Sequence, residues 1–129
     1  MSPVTANRLK ISSGGAYENV FGYSRAVRVG AHLHISGTCA PATHEHSDAY
    51  TQTRAILDTI EKVLREAGMT TQDVVRTVVF VRDMNDSEGV ARAHLETFAE
   101  IRPASTLVQV DSMLRPWQKV EIETYAIAD

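Results

Sequence analysis

The sequence predicts an α+β fold, in which a mixed β-sheet carries two helices on one of its faces. The spacing of the hydrophobic residues gives segments in the order strand, strand hairpin, helix, strand, helix, strand, strand. A helix that crosses between parallel strands makes a right-handed connection in nearly all proteins, which places both helices on the same face of the sheet. The other face is then bare, and a second copy of the chain is its expected cover.

The length and composition fit one globular domain spanning residues 1–129. The chain has 129 residues, of which 43% are hydrophobic and 22% charged, enough for a single core. The net charge is -3 and no basic run stands out, which argues against a nucleic-acid partner. The sequence contains no apolar run as long as a membrane span, no secretory signal, and one cysteine, Cys39, which permits no internal disulfide. These features predict a cytoplasmic protein with no membrane partner.

Two segments have the hydrophobic spacing of amphipathic helices. The first begins after Ser47 or Asp48, either of which can cap it, and stops at Gly68, which tolerates a left-handed backbone. Its apolar stripe consists of Ile56, Ile60, Val63, Leu64 and Ala67. The second helix follows a turn at residues 83–87, and its predicted buried stripe consists of Val90, Ala91, His94, Leu95 and Phe98.

The other hydrophobic segments predict strands separated by turns that contain glycine or proline. Residues 74–82 are apolar on both faces in their centre, at residues 78–81, which predicts a central position in the sheet. Residues 17–22, which include two aromatic side chains, are expected to be irregular. The remaining predicted strands are residues 7–12, 23–29, 32–37, 106–110 and 120–128.

The last strand alternates between an apolar face and a polar face. Its polar face carries Glu121, Glu123 and Tyr125, and its apolar face carries Val120, Ile122, Thr124 and Ala126. A strand face with two carboxylates is a candidate wall of a functional site. The alternative is a half-solvated strand at the edge of the sheet.

Four short segments occur together in an order and spacing shared with a known family. The last combines PASTLVQV at residues 103–110 with KVEIE at residues 119–123. The other three are GYSRAV, ISGT and VRTVVFVRD, at residues 22–27, 35–38 and 75–83. Together they resemble the reactive-intermediate deaminase (Rid) family, also called YjgF-like or endoribonuclease L-PSP proteins. The resemblance covers nearly the whole chain.

This resemblance implies a chorismate-mutase-like fold assembled as a homotrimer, with the bare sheet faces forming a central barrel. It also implies ligand clefts between subunits, where small imines, enamines and related 2-oxoacid derivatives are bound or hydrolysed. No cofactor is expected. The ribonuclease activity in the family's older label is not expected, because the sequence shows no basic groove.

The resemblance assigns two catalytic positions and one binding loop. Tyr23 matches the tyrosine that lines the cleft, and Glu121 matches the glutamate that orients the attacking water. Ser36, Gly37 and Thr38 match a loop that offers backbone and hydroxyl groups to the ligand. These residue types suit the chemistry, because water addition to a C=N bond requires proton transfer from the water and to the nitrogen.

The sequence departs from deaminase members of the family at the position that binds the substrate carboxylate. Ser105 stands where those members have an arginine, Leu107 replaces a smaller polar or thiol residue, and Ala91 replaces a frequent asparagine. Ser105 and Leu107 are still predicted to line the ligand site. Arg25, Arg102 or Arg115 are candidate substitutes for the arginine, and each is expected to be a surface residue.

The histidines suggest one ligand contact and no metal site. His94, on the buried side of the second helix, is predicted to touch a ligand, with a core histidine as the alternative. His44, Glu45 and His46 have metal-ligating side chains, but a polar loop before a helix is the preferred interpretation.

Two functions stay open at this point. The first is a hydrolase or deaminase for imine, enamine or related carbonyl metabolites, supported by Tyr23, Ser36 and Glu121. The second is a trimer of the same fold that binds a small molecule without catalysis, supported by Ser105 in place of the arginine.

Overall fold

A computed structural model describes residues 8–129 and contains six strands and three helices in that range. The strands are β1 Arg8–Ile11, β2 Ala26–Val29, β3 His32–Thr38, β4 Val74–Val81, β5 Ala104–Gln109 and β6 Val120–Ile127. The helices are α1 Ala16–Phe21, α2 Ala49–Glu66 and α3 Ser87–Phe98. Residue 7, which the sequence places in the first strand, lies outside the described residues. The predicted α+β class is confirmed.

All six strands form one mixed sheet in the order β1-β2-β3-β6-β4-β5. Neighbouring strands are antiparallel except β4 and β5, which are parallel and joined through α3. The central position predicted for β4 is confirmed. The edge position considered for β6 is wrong, because β6 pairs with both β3 and β4. Its polar face therefore lies in the middle of the sheet.

Helices α2 and α3 cover one face of the sheet, as the right-handed crossover rule predicts. Asp48 caps α2 by accepting a hydrogen bond from the Thr51 N–H (2.8 Å), and Gly68 follows the helix with a φ of 78°. The buried core between helices and sheet includes Leu33, Ile35, Ile56, Ile60, Leu64, Val79, Val90, Phe98 and Ile122. No helix within residues 8–129 combines the length and apolar character needed to cross a membrane.

Several details of the secondary structure differ from the prediction, including β5, which begins at Ala104 rather than at residue 106. Residues 17–22 are largely helical. The Glu18 side chain stabilises the start of α1 by accepting a hydrogen bond from the N–H of the N-cap residue, Gly15. Strand β2 begins at Ala26 rather than at residue 23. In α3 the buried stripe is rotated: Ala93 is buried, whereas Ala91 and Leu95 are exposed. An alanine carries too little hydrophobic signal to fix the register of a short helix.

Candidate functional site

A cavity of about 860 Å³ opens on the face of the sheet that α2 and α3 leave bare. We call it the open-face cavity. It is bounded by β3, β6, α1 and the loop before β6. Its polar lining includes Tyr17, Tyr23, Arg25, His34, Ser36, Glu121, Glu123 and Tyr125.

Arg25 organises one wall of the open-face cavity. Its guanidinium donates through Nη1 to the Gly37 carbonyl (2.7 Å) and to Thr38 Oγ1 (3.0 Å). Nε donates to Ser13 Oγ (3.4 Å), and Nη2 donates to Tyr23 Oη (2.7 Å). Four of the five guanidinium N–H groups are thus engaged, and one on Nη2 has no partner within residues 8–129. The surface position expected for Arg25 is wrong, since only 8% of the residue is exposed.

The anchoring of Arg25 begins in the turn before α1. Ser13 Oγ, which accepts from Arg25, itself donates to Glu18 Oε2 at 2.6 Å. Ser12 Oγ and the Ser13 and Gly15 N–H groups also donate to Glu18. Burial would raise the pKa of Glu18, but these hydrogen bonds outweigh it and lower the pKa. A charged Glu18 therefore fixes the turn against which Arg25 rests.

Gly37 makes room for the carboxylate of Glu121. A Cβ at position 37 would lie 2.5 Å from Glu121 Oε2 and 3.0 Å from Glu121 Cδ, inside van der Waals contact. The glycine thus lets the Glu121 side chain of β6 lie directly against the backbone of β3. Its carbonyl is already occupied by Arg25. The geometry therefore gives Gly37 a spatial role beside its predicted binding role.

The chemical environment of Glu121 differs from that of an ordinary surface glutamate. Burial raises its pKa, the nearby Glu123 raises it further, and the Cys39 thiol and Arg25 act in the opposite direction. The Cys39 thiol is hydrogen-bonded to Glu121. Burial is the main cause that raises the pKa of this thiol to about 12, and the charge of Glu121 adds to it. Cys39 is therefore a thiol near neutral pH and no nucleophile. Glu121 can therefore act as a proton-accepting group at this wall.

Glu123 lies on the same strand face but has a different partner. Its Oε1 accepts a hydrogen bond from Tyr125 Oη at 2.8 Å. This bond, burial and the Glu123 charge raise the pKa of Tyr125. The His34 ring contacts the Tyr125 ring edge-on, with centroids 5.5 Å apart. Both carboxyls line the open-face cavity, but Glu123 accepts from Tyr125, whereas Glu121 lies against Gly37 with Cys39 beside it.

The hydroxyl groups of the predicted binding loop are engaged within the protein. Ser36 Oγ donates to the Ser24 carbonyl (2.7 Å), and Thr38 Oγ1 donates to the Ser36 carbonyl (2.8 Å). Thr38 is buried, and Ser36 lines the open-face cavity. Their direct contact with a ligand stays a prediction. In this structure both hydroxyls fix the bulged end of β3 next to Arg25.

The other predicted ligand residues lie on the opposite face of the sheet. Ser105, Leu107 and His94 line a second cavity, of about 470 Å³, between α3 and the edge strand β5. We call it the helix-face cavity. The sheet separates it from Glu121 and Tyr23, so one chain does not bring all the predicted residues to a single site.

The segment with two histidines forms no metal cluster in the described part of the chain. His44 Nδ1 pairs with Ser47 Oγ at 3.2 Å, and His46 Nε2 lies 3.6 Å from Glu45 Oε1 at the surface. Within residues 8–129 no three histidine, cysteine or acidic side chains are grouped as metal ligands.

Two features near these cavities were not predicted from the sequence: the burial of Arg25, which was named only as a candidate substitute for the arginine, and the hydrogen bonds of Thr77 to two lining residues. Arg25 resembled any surface arginine, since nothing in its local pattern reveals that its stem is buried. Thr77 was one polar residue in an apolar strand, yet it is fully buried and bonded to both His94 and Ser105. The one sequence feature that could have pointed to Thr77 is its place as a threonine within a run of β-branched residues. Threonine is common in strands for structural reasons, so this feature does not indicate a site.

Comparison with known proteins agrees with this architecture. A solved structure from Mycobacterium tuberculosis, a member of the YjgF family, superposes with a TM-score of 0.88 and 39% identity, covering 94% of this chain and 99% of that chain. The protein is thus of the YjgF structural class. The sequence also matches the family described as Endoribonuclease L-PSP over residues 15–128. The chain therefore belongs to the endoribonuclease L-PSP (Rid/YjgF) family.

Two curated relatives add detail. A RutC family protein of Pyrococcus horikoshii is 36% identical over 110 residues, covering 82% of this chain and 85% of the relative. A protein of Acinetobacter baylyi named 3-aminoacrylate deaminase RutC is 38% identical over 79 residues, covering 61% of this chain and 62% of the relative.

Proposed function

We propose that this protein hydrolyses the C=N bond of a small imine, or of an enamine after tautomerisation, with Glu121 as the group that orients and deprotonates water. The observation that carries the proposal is the setting of Glu121. Its half-buried carboxyl faces a large cavity, its pKa is raised by burial, and Gly37 leaves it the space to lie there. A relative named for deamination of 3-aminoacrylate, an enamine, supports this reaction class.

The reaction requires proton transfers that one carboxyl can perform in turn. Glu121 accepts a proton from water as the oxygen adds to the carbon of the C=N bond and the bond's electron pair moves to nitrogen. The same carboxyl returns this proton to the nitrogen, which gives a carbinolamine. It then takes the proton of the new hydroxyl and delivers it to the nitrogen, so that ammonia leaves as the carbonyl forms. A raised pKa suits these steps, because it brings the carboxyl closer to the operating pH. The free Nη2 N–H of Arg25 supplies a donor beside the site.

We further propose that the working site lies between subunits of a homotrimer. The open-face and helix-face cavities are on opposite sides of one sheet, so a neighbouring copy is needed to bring Ser105 and Leu107 near Glu121. Sedimentation equilibrium is expected to give three times the chain mass of 14.2 kDa. A species of one chain mass at micromolar concentration would contradict the trimer.

Binding without catalysis is the second candidate, and Ser105 is the observation in its favour. A charge-assisted hydrogen bond to a carboxylate is worth roughly 1.5–3 kcal/mol, and a serine hydroxyl provides no charge. A binding protein would retain both cavities and show saturable ligand binding with no turnover.

The test is ammonia release from two imines that differ in charge. One is generated by an amino-acid oxidase and carries a carboxylate, and the other is generated from a primary amine and is free of one. We expect the protein to accelerate hydrolysis of the second imine. The first should be hydrolysed at least about tenfold more slowly than by a relative that carries the arginine, because Ser105 lacks the charge. No acceleration of either imine would favour binding without catalysis, and equal rates for protein and relative would show that the arginine is dispensable.

A further inference from the structure

Three polar groups are linked along the wall of the helix-face cavity, with the buried Thr77 between two lining residues, Ser105 and His94. Ser105 Oγ, on the exposed strand β5, lies 2.7 Å from Thr77 Oγ1 on β4. Thr77 Oγ1 lies 2.9 Å from Nε2 of His94 on α3. Thr77 is fully buried, and the parallel register of β4 and β5 places it directly beside Ser105. We call Ser105, Thr77 and His94 the hydroxyl chain.

The surroundings of the hydroxyl chain are apolar. Val79, Val90, Phe98 and Leu107 line the helix-face cavity, and the His94 ring packs on the Phe98 ring with centroids 4.6 Å apart. Burial lowers the pKa of His94, so its imidazole is neutral at neutral pH. Arg102 is the charged residue of the lining, and it is exposed at the rim with its Nε bound to the Ala99 carbonyl (3.0 Å). The polar groups inside the cavity carry no formal charge.

The hydroxyl chain can present either a donor or an acceptor to the cavity. Thr77 has one hydroxyl proton to share between two neighbours. If His94 Nε2 accepts that proton, Ser105 donates to Thr77 and turns its lone pairs to the cavity. If His94 Nε2–H donates to Thr77, Thr77 donates to Ser105, whose own O–H is then free. Both arrangements are neutral, and each bond in such a chain polarises the next.

We propose that the helix-face cavity binds the hydrocarbon part of a ligand together with one uncharged polar group, such as an amide, carbonyl or hydroxyl, held by Ser105 at the end of the hydroxyl chain. This proposal names the class of substrate that the helix-face cavity selects. It rests on the proposed function only where it makes that ligand the substrate of the hydrolysis. A carboxylate is disfavoured, because it would bring a charge into an apolar cavity whose inner groups are neutral. Thr77 and His94 are positioning residues that act through Ser105.

The experiment measures binding in the absence of turnover, so it can fail independently of the proposed hydrolysis. The probes are 4-methylpentanamide and 4-methylpentanoate, which have closely similar shapes and differ in charge. NMR titration of the intact protein follows the ring nitrogens of His94, identified by comparison with His94→Gln. The variants are Ser105→Ala, Thr77→Val, which keeps the shape of the side chain, and Arg102→Gln. Amide spectra of each variant establish that it is folded.

We expect the amide to bind saturably and to shift the His94 nitrogen resonances, and the carboxylate to bind at least about tenfold more weakly. Ser105→Ala should weaken amide binding about threefold to tenfold, the value of one neutral hydrogen bond. Thr77→Val should reduce the response of His94 Nε2, the nitrogen bonded to Thr77, and Arg102→Gln should leave amide binding within a factor of about two. If Thr77→Val does not fold, Ser105→Ala decides alone, since Ser105 is exposed. Tighter binding of the carboxylate that is lost in Arg102→Gln, or no saturable binding of the amide, would overturn the proposal.

Discussion

Replacing Glu121 by glutamine is expected to lower hydrolytic turnover by a factor of about 10²–10⁴, the usual contribution of a general acid–base group. Glutamine keeps the size and polarity of the side chain, and it cannot accept the proton of the attacking water. The measurement is the rate constant at saturating substrate for the imine that gives the highest wild-type rate.

Glu123→Gln is the matched control on the same strand face. Glu123 is bound to Tyr125, and Glu121 lies beside Gly37 at the cavity wall. We therefore expect Glu123→Gln to retain turnover within about tenfold of the wild-type rate. Equal losses in the two variants would indicate a coupled pair of carboxyls. A loss confined to Glu123→Gln would transfer the catalytic role to Glu123.

Gly37→Ala tests the role of Glu121 by displacing its carboxyl group instead of replacing it. The added Cβ would overlap Glu121 Oε2, so the side chain must move while the residue itself is unchanged. Turnover should fall toward that of Glu121→Gln. Gly89→Ala in α3, where the added Cβ would meet Tyr50 Cβ at an ordinary 3.4 Å, should not affect turnover. Full activity in Gly37→Ala would mean that the position of Glu121 does not matter for the reaction.

The pH dependence of stability separates lost chemistry from lost folding. Burial raises the pKa of Glu121 above its ordinary value of 4.5. A carboxyl with a raised folded-state pKa favours folding below its unfolded pKa, and that contribution is lost as pH rises through the folded pKa. Glu121→Gln should therefore be more stable relative to the wild type at pH 7 than at pH 4. A variant with low turnover and increased stability at pH 7 is inactive for a chemical reason.

The sequence predicts the fold where one physical signal dominates. Helix α2 has a full apolar stripe, a capping aspartate and a glycine stop, and all three occur where expected. The alternation in β6 correctly separates its buried and polar faces. Alternation reports which face is buried and carries no information on how many neighbours a strand has. The central position of β6 therefore depends on β3 and β4, which are distant in sequence.

The candidate sites depend even more on such long-range contacts. The residues that match the family's motifs are found without the structure, because a motif is local. The burial of Arg25 arises from Ser13, Gly37 and Thr38, which meet only in the folded sheet. The hydroxyl chain likewise joins β4, α3 and β5. Neither arrangement has a periodic or compositional signature, so sequence patterns alone do not predict it.

Ile60→Ala in α2 is expected to lower the free energy of unfolding by roughly 2–5 kcal/mol. Ile60 is 1% exposed and belongs to the core cluster between the helices and the sheet. Alanine favours the helix at least as well as isoleucine, so the loss comes from burial and from the cavity left behind. The control is Lys62→Ala, an exposed position of the same helix, where a change within about 0.5 kcal/mol is expected. Denaturant melts of both variants should be compared at one protein concentration, because subunit association would add a concentration-dependent contribution to stability. If Ile60→Ala unfolds at the same denaturant concentration as the wild type, the packing of α2 on the sheet is wrong.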